Sequence, residues 1–159
     1  MNKTYFLLGS NMGNSKGRLS KAILQIEKHI GIITRKSSLY VTAAWGNTKQ
    51  PDFFNQVITV ETNFSALQTM QTILSIEKKM GRIRTLKNAP RIIDIDILFF
   101  NKEIIDNKYL SVPHPQIQNR RFVLVPLNQL SPNLRHPVLK KSVHQLLIHC
   151  PDKLNVKKF

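Results

Sequence analysis

At 159 residues, with 42% hydrophobic and 21% charged side chains, the chain has the size and balance of one globular domain, residues 1–159. Its 24 Lys and Arg against 9 Asp and Glu leave a formal charge of +15, which predicts a polyanionic partner: nucleic acid, acidic lipid or a polyphosphate ligand. No run approaches the roughly 20 apolar residues of a membrane helix, no secretory leader is evident, and the single cysteine, Cys150, excludes a disulfide framework or a cysteine zinc cage, so a cytoplasmic location is expected.

Residues 5–8 form a short apolar run stopped by Gly9 and read as a strand. Leu19, Ala22, Ile23, Ile26 and Ile30 then recur at helical spacing, with Gly31 as the stop. Residues 32–40 read as a strand, 42–51 as a loop, and the β-branched run 57–62 as the next strand. Ser65 followed three positions later by Gln68 is a capping box, opening a helix whose stripe is Leu67, Met70, Ile73 and Leu74. It runs to Met80 and stops at Gly81. Residues 81–90 lack apolar periodicity and read as a basic loop, and 92–100 is the strongest strand of the chain. The order strand, helix, strand, strand, helix, strand predicts an α+β fold. It is the ferredoxin-like βαββαβ core, an antiparallel sheet with helices packed on it. The last third adds C-terminal strand and helix segments: a stretch around Ser111 to Pro115 and short helices near 121–130 and 142–149.

Alternation along residues 91–99 sends Ile93, Ile95, Ile97 and Phe99 to one face and Asp94 and Asp96 to the other. Two neighbouring carboxylates repel unless a cation sits between them, and an oxygen-only pair suits magnesium, which completes its shell with water and phosphate oxygens. Asp-x-Asp by itself is most often a solvated strand face. Here it lies on the most hydrophobic strand of an acid-poor chain, behind Arg82, Arg84, Lys87 and Arg91. Carboxylates flanked by arginines are the ingredients of polyphosphate chemistry. There is no Walker A loop, since Gly9-Ser10-Asn11-Met12-Gly13-Asn14 lacks the Gly-Lys-Ser/Thr ending.

Four blocks stand in order along the chain: Leu8-Gly9-Ser10-Asn11; Gln50-Pro51-Asp52-Phe53-Phe54-Asn55; Gly81-Arg82-Ile83-Arg84 with Pro90-Arg91-Ile92-Ile93-Asp94-Ile95-Asp96; and Val112-Pro113-His114-Pro115 with Asn119-Arg120-Arg121-Phe122. Together they resemble the 6-hydroxymethyl-7,8-dihydropterin pyrophosphokinase family over essentially the whole chain. That resemblance implies transfer of pyrophosphate from ATP to the pterin alcohol, with AMP as the other product, in folate biosynthesis. It implies that Asp94 and Asp96 hold two Mg²⁺ ions and that Arg82 and Arg91 act with them in catalysis. Arg84, Arg91, Ser111, His114 and Arg120 would contact ATP. Phe53 and Phe122 would sandwich the pterin, Asn55 would bond its polar edge, and the main chain around Thr42 and Trp45 would complete the pocket. Two departures stand out: Asn88-Ala89 replaces an aromatic-glycine pair of the loop, and Thr42-Ala43 replaces Thr-Pro.

A monomer acting on small molecules, without nucleic acid or membrane, is the expectation. The rival is an RNA-binding module of the same topology, favoured by charge alone. Such modules carry an aromatic-rich motif on the central strand, and this chain has two aspartates on its best one.

Overall fold

The computed structural model describes residues 1–43, 49–83 and 90–159. Among them the chain runs β1 (Asn2–Ser10), α1 (Ser15–His29), β2 (Gly31–Lys36), β3 (Tyr40–Thr42), β4 (Phe53–Thr62), α2 (Ala66–Lys79) and β5 (Asp94–Phe100). A small hairpin follows, β6 (Ile105–Asp106) and β7 (Ser111–Val112), then a 3₁₀ turn (Ile117–Asn119), α3 (Arg121–Leu130), α4 (Val143–Ile148) and β8 (Val156–Lys158). The main sheet has the order β5-β1-β4-β3-β8 with β2 also on β4, and every pairing is antiparallel. This is the expected ferredoxin-like arrangement with one strand added. No helix among the described residues is long and apolar enough to cross a membrane.

The two faces of the sheet carry separate cores. Phe6, Leu8, Ile58 and Val60 pack under α1 and α2 with Ile93, Ile95 and Ile97. Tyr5, Leu7 and Val57 pack under α3 and α4 with Leu124, Leu127, Val143 and Leu146. The expected strand over 32–40 is broken into β2 and β3 at Ser37. Its N–H donates to the Val57 carbonyl (2.8 Å), its Oγ accepts from the Val57 N–H (3.0 Å), and its carbonyl accepts from Gln56 Nε2 (2.8 Å). Both halves therefore still lean on β4, which starts four residues earlier than the β-branched run because β1 and β3 pair with residues 53–56.

Two further expectations are corrected. The β1–β5 register shifts between Tyr5 and Phe6, with Phe6 opposite Ile97 but Tyr5 opposite Phe99. The extra residue reverses the alternation. Phe99 joins Leu98 under α3 and α4, and Phe100 takes its place beside Ile93, Ile95 and Ile97. On α2 the capping box forms as read, yet the buried stripe is Ala66, Thr69, Ile73, Ile76 and Glu77, while Leu67 and Leu74 stay exposed. Small Ala66 and Thr69 let the helix approach the sheet, and that rotation turns Leu74 toward a cleft. Helix α1 starts ahead of its first stripe residue, Leu19, because Asn14 caps it by accepting from the Gly17 N–H at 3.1 Å.

Candidate active site

Strand pairing builds the floor. Asn55 lies opposite both Tyr40 and Gly9, and Gly9 lies opposite Asp94, so these residues form one row across four strands. Val57, Leu7 and Asp96 form the next row. Paired residues share a face, so Asn55 and both aspartates rise from the same side, the one that α3 and α4 cover further along. Gly9 is required by space. A Cβ there would sit 2.8 Å from Asn55 Oδ1, against a side chain whose position the row sets.

Two compartments open on this floor. One, of about 750 Å³ counting its mouth, is lined by Leu7, Gly9, Thr42, Phe53, Asn55 and Phe122. The other, of about 600 Å³, is lined by Met70, Leu74, Glu77, Arg82 and His114. Arg91, Asp94, Asp96 and Arg120 border both. The aspartate pair is thus the partition between an aromatic, amide-bearing chamber and a basic one.

In the first chamber Asn55 is buried, and its Nδ2 has no hydrogen-bond partner among the described residues. An unmet buried donor costs about 1–3 kcal/mol, which a ligand acceptor would recover. Thr42, which also lines this chamber, spends its hydroxyl on the Asn155 carbonyl at 3.2 Å. Arg120 stands 5.8 Å from the Phe122 ring centroid.

Asp94 is the hub of the partition. It takes Arg82 at 2.7 Å on one oxygen and Arg91 at 2.9 Å on the other. Arg82 also binds Glu77 at 2.6 Å, and Glu77 accepts from the Ile95 N–H at 2.8 Å. Burial raises the Glu77 carboxyl above its usual range; the Ile95 N–H and the Arg82 charge pull against that rise, while Asp94 adds to it. Asp96 is pushed up to about 7, first by burial and then by the charges of Asp94 and Glu77, with Arg120 and Arg91 opposing. A carboxyl held protonated this far by its surroundings is one that an added cation would discharge. Among the described residues no three His, Cys, Asp or Glu side chains are placed to hold a metal ion together. The oxygen donors Asp94 and Asp96 therefore fit magnesium, which takes one or two carboxylates plus water and phosphate, rather than an all-protein cage.

His114 is anchored by its N–H to the Leu98 carbonyl (2.9 Å), and its Nδ1 accepts from the Gln116 N–H (3.1 Å). Burial first, then Arg120, lowers its imidazole to about 4, with Asp94 opposing. At neutral pH it is uncharged with its proton on Nε2, a donor bordering the basic chamber. The unfolded chain binds this proton near pH 6.5 and the folded one only near 4, so stability is lost as pH falls through that window. Observing the His114 ring by NMR during an acid titration checks this; a midpoint above 6 would refute it.

The cleft brings together Thr42, Phe53, Asn55, Arg82, Arg91, Asp94, Asp96, His114, Arg120 and Phe122. Ser111, expected near ATP, is not among the residues lining either chamber, and its hydroxyl donates to Asp106 on the neighbouring strand at 3.3 Å. Trp45 and Arg84 lie outside the described residues. Of the two adjacent arginines Arg120 lines the cleft, while Arg121 begins α3. Glu77 was not singled out in the sequence, and Asn11 stood there only as the end of the first block, with no role attached. Glu77 was signalled by an acid four positions after Ile73 on an apolar stripe, where a charge needs a partner. Buried Asn11 accepts from the Arg91 N–H at 2.8 Å and donates to Gln50 Oε1 at 2.9 Å, tying together two segments at the mouth of the cleft.

Residues 5–132 match the family model for 7,8-dihydro-6-hydroxymethylpterin-pyrophosphokinase. A 2-amino-4-hydroxy-6-hydroxymethyldihydropteridine pyrophosphokinase of Aquifex aeolicus is 37% identical over 145 residues, 91% of this chain and 90% of that protein. The folic acid synthesis protein fol1 of Schizosaccharomyces pombe is 38% identical over 151 residues, 94% of this chain but 20% of that longer protein. Among solved structures, a Plasmodium falciparum HPPK-DHPS chain superposes with a TM-score of 0.74 at 20% identity, over 93% of this chain and 43% of that one, a likeness of fold.

Proposed function

The chain belongs to the 7,8-dihydro-6-hydroxymethylpterin-pyrophosphokinase family, and on that footing we propose how its cleft carries out pyrophosphoryl transfer from ATP to 6-hydroxymethyl-7,8-dihydropterin in folate biosynthesis. The hydroxymethyl oxygen bonds to the β-phosphorus, the bond from that phosphorus to the α-phosphate oxygen breaks, AMP leaves, and the hydroxyl proton passes to solvent or a nearby carboxylate.

One observation carries this reading: the chamber with an unmet Asn55 amide and two Phe side chains meets the basic chamber at Asp94 and Asp96. A pterin is flat and rich in polar edge atoms, so Phe53 and Phe122 suit its faces and Asn55 its rim. The triphosphate belongs on the other side, where Arg82, Arg91, Arg120 and the Nε2–H of His114 supply positive charge and donors. Asp94 and Asp96 are the residues that would hold magnesium, two ions in this reading. Held there, magnesium would supply charge neutralisation for the phosphates and make the pterin hydroxyl more acidic. Arg82 and Arg91 remain within reach of the reacting phosphates because Asp94 and Glu77 hold them at the partition. Positioning and electrostatics then account for catalysis.

A single-domain, monomeric, cytoplasmic enzyme is part of the same proposal. The RNA-binding alternative has no support: α3 and α4 cover one part of the sheet face that such modules leave open for bases, and Asp94 and Asp96 stand on another.

The test is product analysis. ATP and magnesium should yield AMP, not ADP, only when the pterin alcohol is added. Pterin-independent ADP release from folded protein would overturn the reading.

A further inference from the structure

Helix α3 begins without a cap of its own. Its N-cap position is Arg120, whose side chain makes no bond to the first turn, and that turn holds no acidic residue. Helix starts leave N–H groups without intrahelical acceptors, which Ser, Thr, Asp or Asn at the N-cap ordinarily supply. Here position 120 is taken by a guanidinium that lines both chambers. A capping residue there would cost the cleft its arginine.

The acceptor comes instead from far along the chain. Asp152 is buried, and its Oδ2 accepts from the Arg121 N–H at 3.0 Å across 31 positions, while its Oδ1 accepts from the Leu154 N–H at 2.9 Å. That second bond turns the chain into the C-terminal segment. The Asn155 carbonyl then accepts from the Thr42 hydroxyl, and β8 pairs with Tyr40–Thr42 of β3. Phe159 closes the run, its N–H donating to the Leu39 carbonyl at 2.9 Å and its ring meeting Phe54 edge-on at 5.4 Å. One carboxylate therefore joins the wall bearing Arg120 and Phe122 to the strap behind the wall bearing Thr42. Asp152 and the strap that follows it lie beyond residues 5–132, the stretch matched to the family, while their partners on α3, β3 and β4 lie within it.

We propose that Asp152 is a positioning residue for the aromatic chamber, capping α3 from a distance and setting the spacing between the Phe122 and Thr42 walls. The ligand in this inference is the pterin, so it rests on the pyrophosphokinase reading. Asp152 touches no reacting atom; it acts through α3 and β8.

The experiment compares Asp152→Ala and Asp152→Asn with wild type, measuring pterin KM, kcat, Tm and amide exchange at residues 121–124. Ser142→Ala serves as a matched control, since it removes the capping box of α4 away from the cleft. Asp152→Ala should raise pterin KM roughly three- to tenfold, the scale of a lost cap, and speed exchange at Arg121. Asp152→Asn keeps one acceptor oxygen and should fall between. Ser142→Ala should lower Tm with pterin KM unchanged. Unchanged pterin KM in both Asp152 variants, or the same rise in Ser142→Ala, would overturn the proposal; if Asp152→Ala does not fold, Asp152→Asn decides. Wild type that releases no AMP would count against the pyrophosphokinase reading alone, with exchange at Arg121 and calorimetric pterin affinity still deciding this one.

Discussion

Asp96→Ala is expected to fold normally and to turn over roughly a thousandfold or more slowly, the scale on which positioned electrostatic groups act. Asp96 stands at the partition of the two chambers, bordered by Arg91 and Arg120. Alanine there removes one of the two oxygen donors for the metal and leaves the apolar face of β5 intact. The stability effect should have the opposite sign. The folded protein holds the Asp96 proton up to about pH 7, whereas an unfolded aspartate releases it near 3.8. Between those values the native state binds more protons, so wild-type stability falls as pH rises through that window. Removing the carboxyl removes that fall. In EDTA-treated protein at pH 8, Asp96→Ala should melt no lower than wild type while its kcat collapses. Near-normal turnover would remove Asp96 from the mechanism; normal turnover loss with a large drop in Tm would mean the residue serves the fold instead.

Glu77→Ala should produce the largest loss of stability, about 3 kcal/mol, because breaking a buried ion pair strands its partner and the Ile95 N–H loses its acceptor. For a domain of this length that corresponds to a Tm roughly 6–12 °C lower. Asp94 still pairs with Arg82, which keeps the loss from the upper end of the buried-pair range. Turnover should fall as well, since Arg82 is then held by Asp94 alone and draws on the carboxylate assigned to the metal. Glu77→Gln preserves an acceptor for Ile95 and should lose about half as much stability. Chemical denaturation of the three proteins checks this, and equal stability for Gln and Ala would show that the charge, not the hydrogen bond, is what matters.

Glu77 also marks how far local pattern reaches. Glu77 falls four positions after Ile73, a spacing that would have turned it inward, but nothing in residues 66–79 names Arg82 or the Ile95 N–H as its partners. The same limit applies to Ser111: its block resembles the nucleotide side of the family, and only the fold shows that its hydroxyl meets Asp106 on the neighbouring strand. Asn55 shows the opposite case: its place in the second block pointed to a ligand edge, and the fold leaves its amide buried and unmet beside Gly9.

The amino-acid sequence by itself determined the βαββαβ order through residue 100, the capping box at Ser65, the start of a helix after Arg120, and the shared face of Asp94 and Asp96. Each of these depends on residues within a few positions of one another, through backbone period and local hydrogen bonding. Only the tertiary structure decided the break at Ser37, the bulge that moves Phe99 to the other core, the stripe of α2 that is buried, and the remote cap from Asp152. Those depend on which neighbour a strand or helix meets. A bulge is counted against its partner strand, a buried stripe is chosen by the surface beneath it, and a cap supplied from 31 positions away exists only once the chain has closed.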